Sequence, residues 1–114
     1  HILRMPLDQW PEPGNRSFSK INQSLYVIMQ GPSEFGLSGK LENWNVFDKL
    51  KTITIPTLVI GAKNDTMDPL HMEKMSKEIS KGEYLYCPNG SHMCMYDDQE
   101  IYLKGLSQVL KKTM

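Results

Sequence analysis

Residues 55–65 read IPTLVIGAKND, a short unbroken apolar run, rich in β-branched residues, that ends at a glycine. A run with no polar alternation reads as a strand covered on both faces, as in a parallel sheet. That requirement constrains the whole chain. A parallel strand needs a parallel neighbour, and the connection between the two needs a crossover, normally a helix. The next residues supply one. DPLHMEKMSKEIS places Pro69 in a first helical turn with Asp68 as its N-cap, and Leu70, Met72, Met75 and Ile79 on its apolar side. Tyr84 to Cys87, in KGEYLYCP, then read as a second strand. The loop NGSHMCMYDD follows, and DQEIYLKGLSQVLKK reads as a last helix. Its apolar stripe is Ile101, Leu103, Leu106, Val109 and Leu110. Acids come first, including Asp97 and Asp98, and lysines last, in keeping with the helix dipole.

The second half is therefore α/β: strand, loop, helix, strand, loop, helix. Two strands do not make a stable parallel sheet alone, because bare faces and an open edge need partners. The chain starts at His1 with no targeting pattern, and its first half reads poorly as a fold of its own. The expectation is a piece of a larger α/β protein, or a chain that self-associates to complete its sheet.

The first half carries less pattern. Residues 1–14 hold Pro6, Pro11, Pro13 and Gly14 and read as an irregular connector. Residues 15–30 space Phe18, Ile21, Leu25, Ile28 and Met29 as one amphipathic helix capped by Asn15, ended by Gly31 and Pro32. Val46, Phe47 and Leu50 imply one or two helical turns.

Composition removes several classes of function. Thirteen basic and thirteen acidic residues cancel, and no basic stripe stands out, so nucleic acid is not an expected partner. No apolar run approaches the ~20 residues that cross a bilayer, so no membrane is expected. Cys87 and Cys94, seven positions apart, make neither a disulfide framework nor a zinc motif. They read as reduced thiols in a cytoplasmic setting. The eight methionines read as soft core filling. No cofactor or metal is implied.

Chemistry is expected where strands end. In open α/β sheets functional groups gather on loops beyond the C-terminal ends of the strands. One such loop holds Asp65 and Asp68; the next holds His92. An acid and a histidine on neighbouring strand ends suit an orienting carboxylate and a general base. Acid before histidine is also the order in α/β-hydrolase triads, whose serine comes earlier. Each residue has a plainer reading. Asp65 could close an Asx turn, His92 could be a surface or capping residue, and Asp68 is better explained as the helix cap. His71 reads as a solvated helix residue. Cys94 lies too close in sequence to His92 for their side chains to converge, and reads as packing.

The segment IPTLVIGAKNDTMDP resembles the strand and acid loop of α/β-hydrolases, with Asp65 rather than Asp68 at the matching distance from Pro69. GSHMCMYDD resembles their histidine loop. More narrowly, YVIMQGPSEFGLSGKLENWNVFDKLKTITIPTLVIGAKNDTMDP resembles the proline iminopeptidase family, which includes the tricorn-interacting aminopeptidases. Gly-Pro-Ser-Glu-Phe is the most distinctive block. The likeness runs from about Trp10 to the end. It implies the C-terminal part of an α/β-hydrolase fold, with parallel strands and flanking helices in residues 31–114, preceded by the end of a helical cap in residues 1–30. It also implies a triad acid at Asp65, a general base at His92, and at Glu34 a receptor for the substrate's free amino group. A carboxylate facing an ammonium in a partly desolvated pocket is chemically apt for that task. A second acidic partner in the family falls at or before the start of this sequence.

One departure stands out. None of the nine serines (17, 19, 24, 33, 38, 76, 80, 91 and 107) lies in a Gly-x-Ser-x-Gly elbow, and the oxyanion donors have no counterpart here. The expectation is a serine aminopeptidase portion that acts on short peptides or aminoacyl substrates with a free N-terminus and is inactive alone. The alternatives are a portion of another α/β-hydrolase, an esterase or amidase, and a non-catalytic, self-associating remnant.

Overall fold

The computed structural model describes residues 10–31 and 39–114. They fall into two compact units, divided between Asn45 and Val46.

The first unit contains helices α1 (Glu12–Ser19) and α2 (Gln23–Met29). Where the apolar spacing predicts one helix over 15–30, there are two. Asn15, the expected cap, lies inside α1, and the break falls at residues 20–22. Its cause is local. Asn22 is extended, and its side chain accepts the Leu25 amide at 3.1 Å, so α2 starts with its own cap. Gly31 ends α2 as expected, at a φ of 109° that glycine adopts without penalty. Residues 39–41 then bind the carbonyls of Gln30, Ile28 and Met29 at 3.0–3.1 Å, satisfying the open end of the helix.

The second unit runs from Val46. A 3₁₀ turn (Phe47–Thr52) leads into strand β1 (Thr57–Ala62), helix α3 (Pro69–Glu78), strand β2 (Gly82–Cys87), a single turn α4 (Cys94–Asp97) and helix α5 (Gln99–Thr113). β1 and β2 pair in parallel, with Thr57 opposite Gly82 and Ala62 opposite Cys87. Asp68 caps α3 by accepting the Leu70 amide at 2.9 Å, and Pro69 stands in the first turn, as the sequence requires.

The pleat sorts the two strands into faces. Val59, Gly61, Gly82, Tyr84 and Tyr86 point one way and α3 covers that side. A Cβ on Gly82 would stand 3.0 Å from the Ile79 side chain, so glycine lets α3 and β2 approach. The Tyr84 hydroxyl donates to the Pro69 carbonyl at 2.9 Å, tying the start of α3 to β2. The opposite face carries Ile60, Ala62, Leu85 and Cys87, packed with Cys94, Ile101 and Tyr102. Here the structure corrects the predicted stripe of α5. Leu103 and Leu110 stand about half exposed, and the packed side is Ile101, Tyr102, Gly105, Leu106 and Val109. Gly105 decides it. A Cβ there would lie 2.6 Å from both terminal carbons of Leu85, so the absent side chain is what allows α5 to lie on β2. The result is three layers, helix, sheet, helix, with both loops of chemical interest at one end of the sheet.

Candidate active site

Two loops leave the C-terminal ends of β1 and β2 side by side. Backbone bonds tie the two loops together just past the strands. The Lys63 amide donates to the Cys87 carbonyl at 3.1 Å, and the Asn64 amide to the Gly90 carbonyl at 2.9 Å. Asp65 is the next residue on one loop, and His92 lies two residues past Gly90 on the other.

The structure brings these two side chains together. His92 Nδ1 lies 3.1 Å from Asp65 Oδ1 and 3.2 Å from Oδ2, in hydrogen-bond range of both carboxylate oxygens. The Asp65 side chain is 11% exposed and that of His92 38%, so the carboxylate is the sheltered partner and the imidazole the accessible one. Asp65 also closes the turn foreseen as its plainer reading. Its Oδ1 accepts the Met67 amide at 3.1 Å and the Thr66 hydroxyl at 3.4 Å. The Asx turn and the contact with His92 coexist, because the turn fixes the carboxylate that faces the ring. With Nδ1 engaged by an acid, Nε2 is the nitrogen left for proton exchange.

The other expected residues separate cleanly. Glu34 lies outside the described residues. Asp68 is the cap of α3 and does not join the pair. His71 is exposed, with its ring 5.5 Å from that of Phe47, over which Lys74 also reaches. Cys87 and Cys94 are buried free thiols in the core beneath the loop. Burial, followed by the neighbouring Cys94, pushes the Cys87 thiol up to about 12, and burial raises Cys94 as well. Neither is poised as a thiolate nucleophile. Among the described residues, no three His, Cys, Asp or Glu side chains converge as a metal site, and no helix is long and apolar enough to cross a membrane. A groove of about 410 Å³, lined by Pro69, Leu70, Glu73, Tyr84 and Tyr86, lies on the α3 side of β2. Neither Asp65 nor His92 borders it.

Sequence reasoning missed the residues that hold the histidine loop. Asp97 and Asp98 read as dipole-matching acids, yet both turn back to the loop. Asp97 accepts the Ser91 amide at 3.0 Å and the Ser91 hydroxyl at 2.5 Å. Asp98, 8% exposed, accepts the Asn89 amide at 3.1 Å. The available signal was two adjacent acids closely following a Gly-Ser turn. Such a turn leaves backbone amides that need acceptors.

Comparison with known proteins places the chain. No family model matches the chain. The proline iminopeptidase of Flavobacterium johnsoniae is 53% identical over 110 residues, which is 96% of this chain and 36% of that enzyme. Its counterpart from Elizabethkingia meningoseptica is 49% identical over 97% of the chain and 37% of the enzyme. That of Saccharolobus solfataricus is 33% identical over 96% and 35%. The crystal structure of Mycobacterium smegmatis proline iminopeptidase matches with a TM-score of 0.85 at 26% identity, covering 94% of this chain and 36% of that one. The crystal structure of VinJ matches with a TM-score of 0.86 at 26% identity, over 100% and 38%. The chain thus spans about a third of the length of the curated relatives it matches. Identity along almost all of its own length, together with the shared fold, makes this chain a member of the proline iminopeptidase family, and its two parallel strands with their flanking helices are the C-terminal part of an α/β-hydrolase fold.

Proposed function

We propose that this chain supplies the acid and the base of a serine aminopeptidase that releases N-terminal residues, proline among them, from short peptides. The observation that carries the reading is the Asp65–His92 pair, with Nδ1 on the sheltered carboxylate and the ring partly exposed. In this role Asp65 fixes the imidazole tautomer and stabilises the imidazolium. His92 takes the proton of an attacking serine and later returns it to the leaving amine. That serine belongs to sequence outside these residues, since none of the nine present sits in a nucleophile elbow. Glu34 holds the substrate's free α-amino group, by the family resemblance of Gly-Pro-Ser-Glu-Phe. The 114 residues alone then hydrolyse nothing.

The test is a chimera in which these residues replace the matching segment of the Flavobacterium johnsoniae relative. We expect it to cleave a proline arylamide. His92→Gln and Asp65→Asn should each lower kcat by roughly 10³-fold or more. Undiminished kcat in the His92 variant overturns the base assignment. Glu34→Gln should erase the preference for free over blocked amino termini, and an unchanged preference removes Glu34 from the site. A chimera that prefers a simple acyl ester to the arylamide points to esterase chemistry instead.

A further inference from the structure

His92 is held from below as well as from the side. Ser91, immediately before it, is fully buried, and its hydroxyl has two partners. It donates to Asp97 Oδ2 at 2.5 Å and accepts the Met93 amide at 3.1 Å. The other oxygen of Asp97 accepts the Ser91 amide at 3.0 Å. One carboxylate therefore fixes the residue before His92 directly and the residue after it through the hydroxyl. Charge matters here. A carboxylate accepts at both oxygens, whereas an amide would set an N–H donor against one of two donors already in place. Both ends of the bridge lie inside the short segment from the histidine loop to α4, so the bridge governs local placement of the ring more than attachment of an element.

We propose that Asp97 is a positioning residue for His92, acting through Ser91. The Asp97–Ser91–Met93 bridge holds the backbone on both sides of His92 so that Nδ1 meets Asp65 and Nε2 faces the reacting proton. The kinetic consequence rests on the proposed role of His92 as base; the geometric one does not.

Two measurements test it. In the 114-residue chain, the Nδ1 proton of His92, hydrogen-bonded to Asp65, should give a downfield proton resonance. Asp97→Asn should broaden or abolish it, as should the milder Ser91→Ala, while Gly105→Ala, which perturbs packing on β2, should leave it in place. In the chimera, Asp97→Asn should lower kcat roughly 10–100-fold, the scale for misplacing a reacting group by about 1 Å, with KM within about twofold. Ser91→Ala should act in the same direction, and the double variant should be no worse than Asp97→Asn alone, because the residues work as one unit. A purely structural bridge predicts lower thermal stability in both variants with kcat intact and the resonance unchanged, and that result overturns the proposal. If His92→Gln leaves hydrolysis intact, the base assignment fails and the resonance experiment still decides the positioning claim. If His92→Gln is inactive while Asp97→Asn keeps wild-type kcat, the positioning claim alone fails.

Discussion

Helices α2 and α5 carry the same kind of apolar periodicity and meet different fates. In α5 the packed side closes on Leu85 and the Cys87–Cys94 core. In α2, Leu25, Val27 and Ile28 stand between 46% and 56% exposed. The contrast extends to whole units. Among the described residues, the unit up to Asn45 buries only Gly14 and Gly31, while the unit from Val46 buries Val59, Ala62, Ile79, Cys87 and Cys94. Periodicity specifies that a helix has an apolar side; it does not specify that anything in this stretch of chain covers it. The second unit covers its own because the crossover lays α3 on one face of the parallel pair and α5 folds back over the other.

The largest test of this contrast is one truncation in each unit. Leu85→Ala should cost about 2–4 kcal/mol by urea denaturation, since its side chain fills the space beneath Gly105. Leu25→Ala should stay within about 0.5 kcal/mol. Equal losses would mean that the apolar side of α2 is covered in solution, and the contrast would dissolve. Gly105→Ala should follow at about 1–3 kcal/mol, by overpacking against Leu85. Caps should ignore the contrast. Asn22→Ala and Asp68→Ala each remove a side-chain acceptor from a helix start, and each should cost about 1 kcal/mol. A much larger loss for Asp68 alone would show that α3 is needed by the whole second unit in a way α2 is not needed by the first. The smallest effect at neutral pH concerns the buried core thiols. Cys87 is raised from 9.0 to about 12, and Cys94 is raised too, both chiefly by burial. An acid raised in the folded state keeps its full stabilising effect below the unfolded value and loses it as pH climbs toward the folded one. Stability should be flat in these groups up to about pH 9 and fall above it, and Cys87→Ala should lessen that slope in alkaline thermal melts.

What the sequence made legible follows the range of the interaction involved. The strand at Thr57–Ala62, the Asp68 cap and the Gly31 stop follow from local rules, and all three are observed. The meeting of Asp65 and His92 is a contact across 27 positions, yet it was legible because parallel strands end at the same edge. The split at residues 20–22 was not, because an extended asparagine that caps a new helix outweighs an apolar spacing that runs through it. Asp97 and Asp98 were misjudged for a related reason. Placement near a helix start satisfies the dipole argument, while the actual demand came from amides of a turn six to nine residues earlier. Choosing which face of α5 packs needed the position of Leu85 against Gly105, which no periodicity contains.

The bond from the Asn64 amide to the Gly90 carbonyl ties the two loops together just beyond the last residues of both strands. Neighbouring strands are about 4.8 Å apart wherever the ladder continues. The carboxylate and the imidazole thus start from strand ends held at that spacing, and the loop backbone and side-chain torsions close the remaining distance. Loop sequence can drift on either side while that gauge is kept. An insertion between Ala62 and Asp65 or between Cys87 and Gly90 displaces that tie, and the pair is lost even if every residue that forms it is still present.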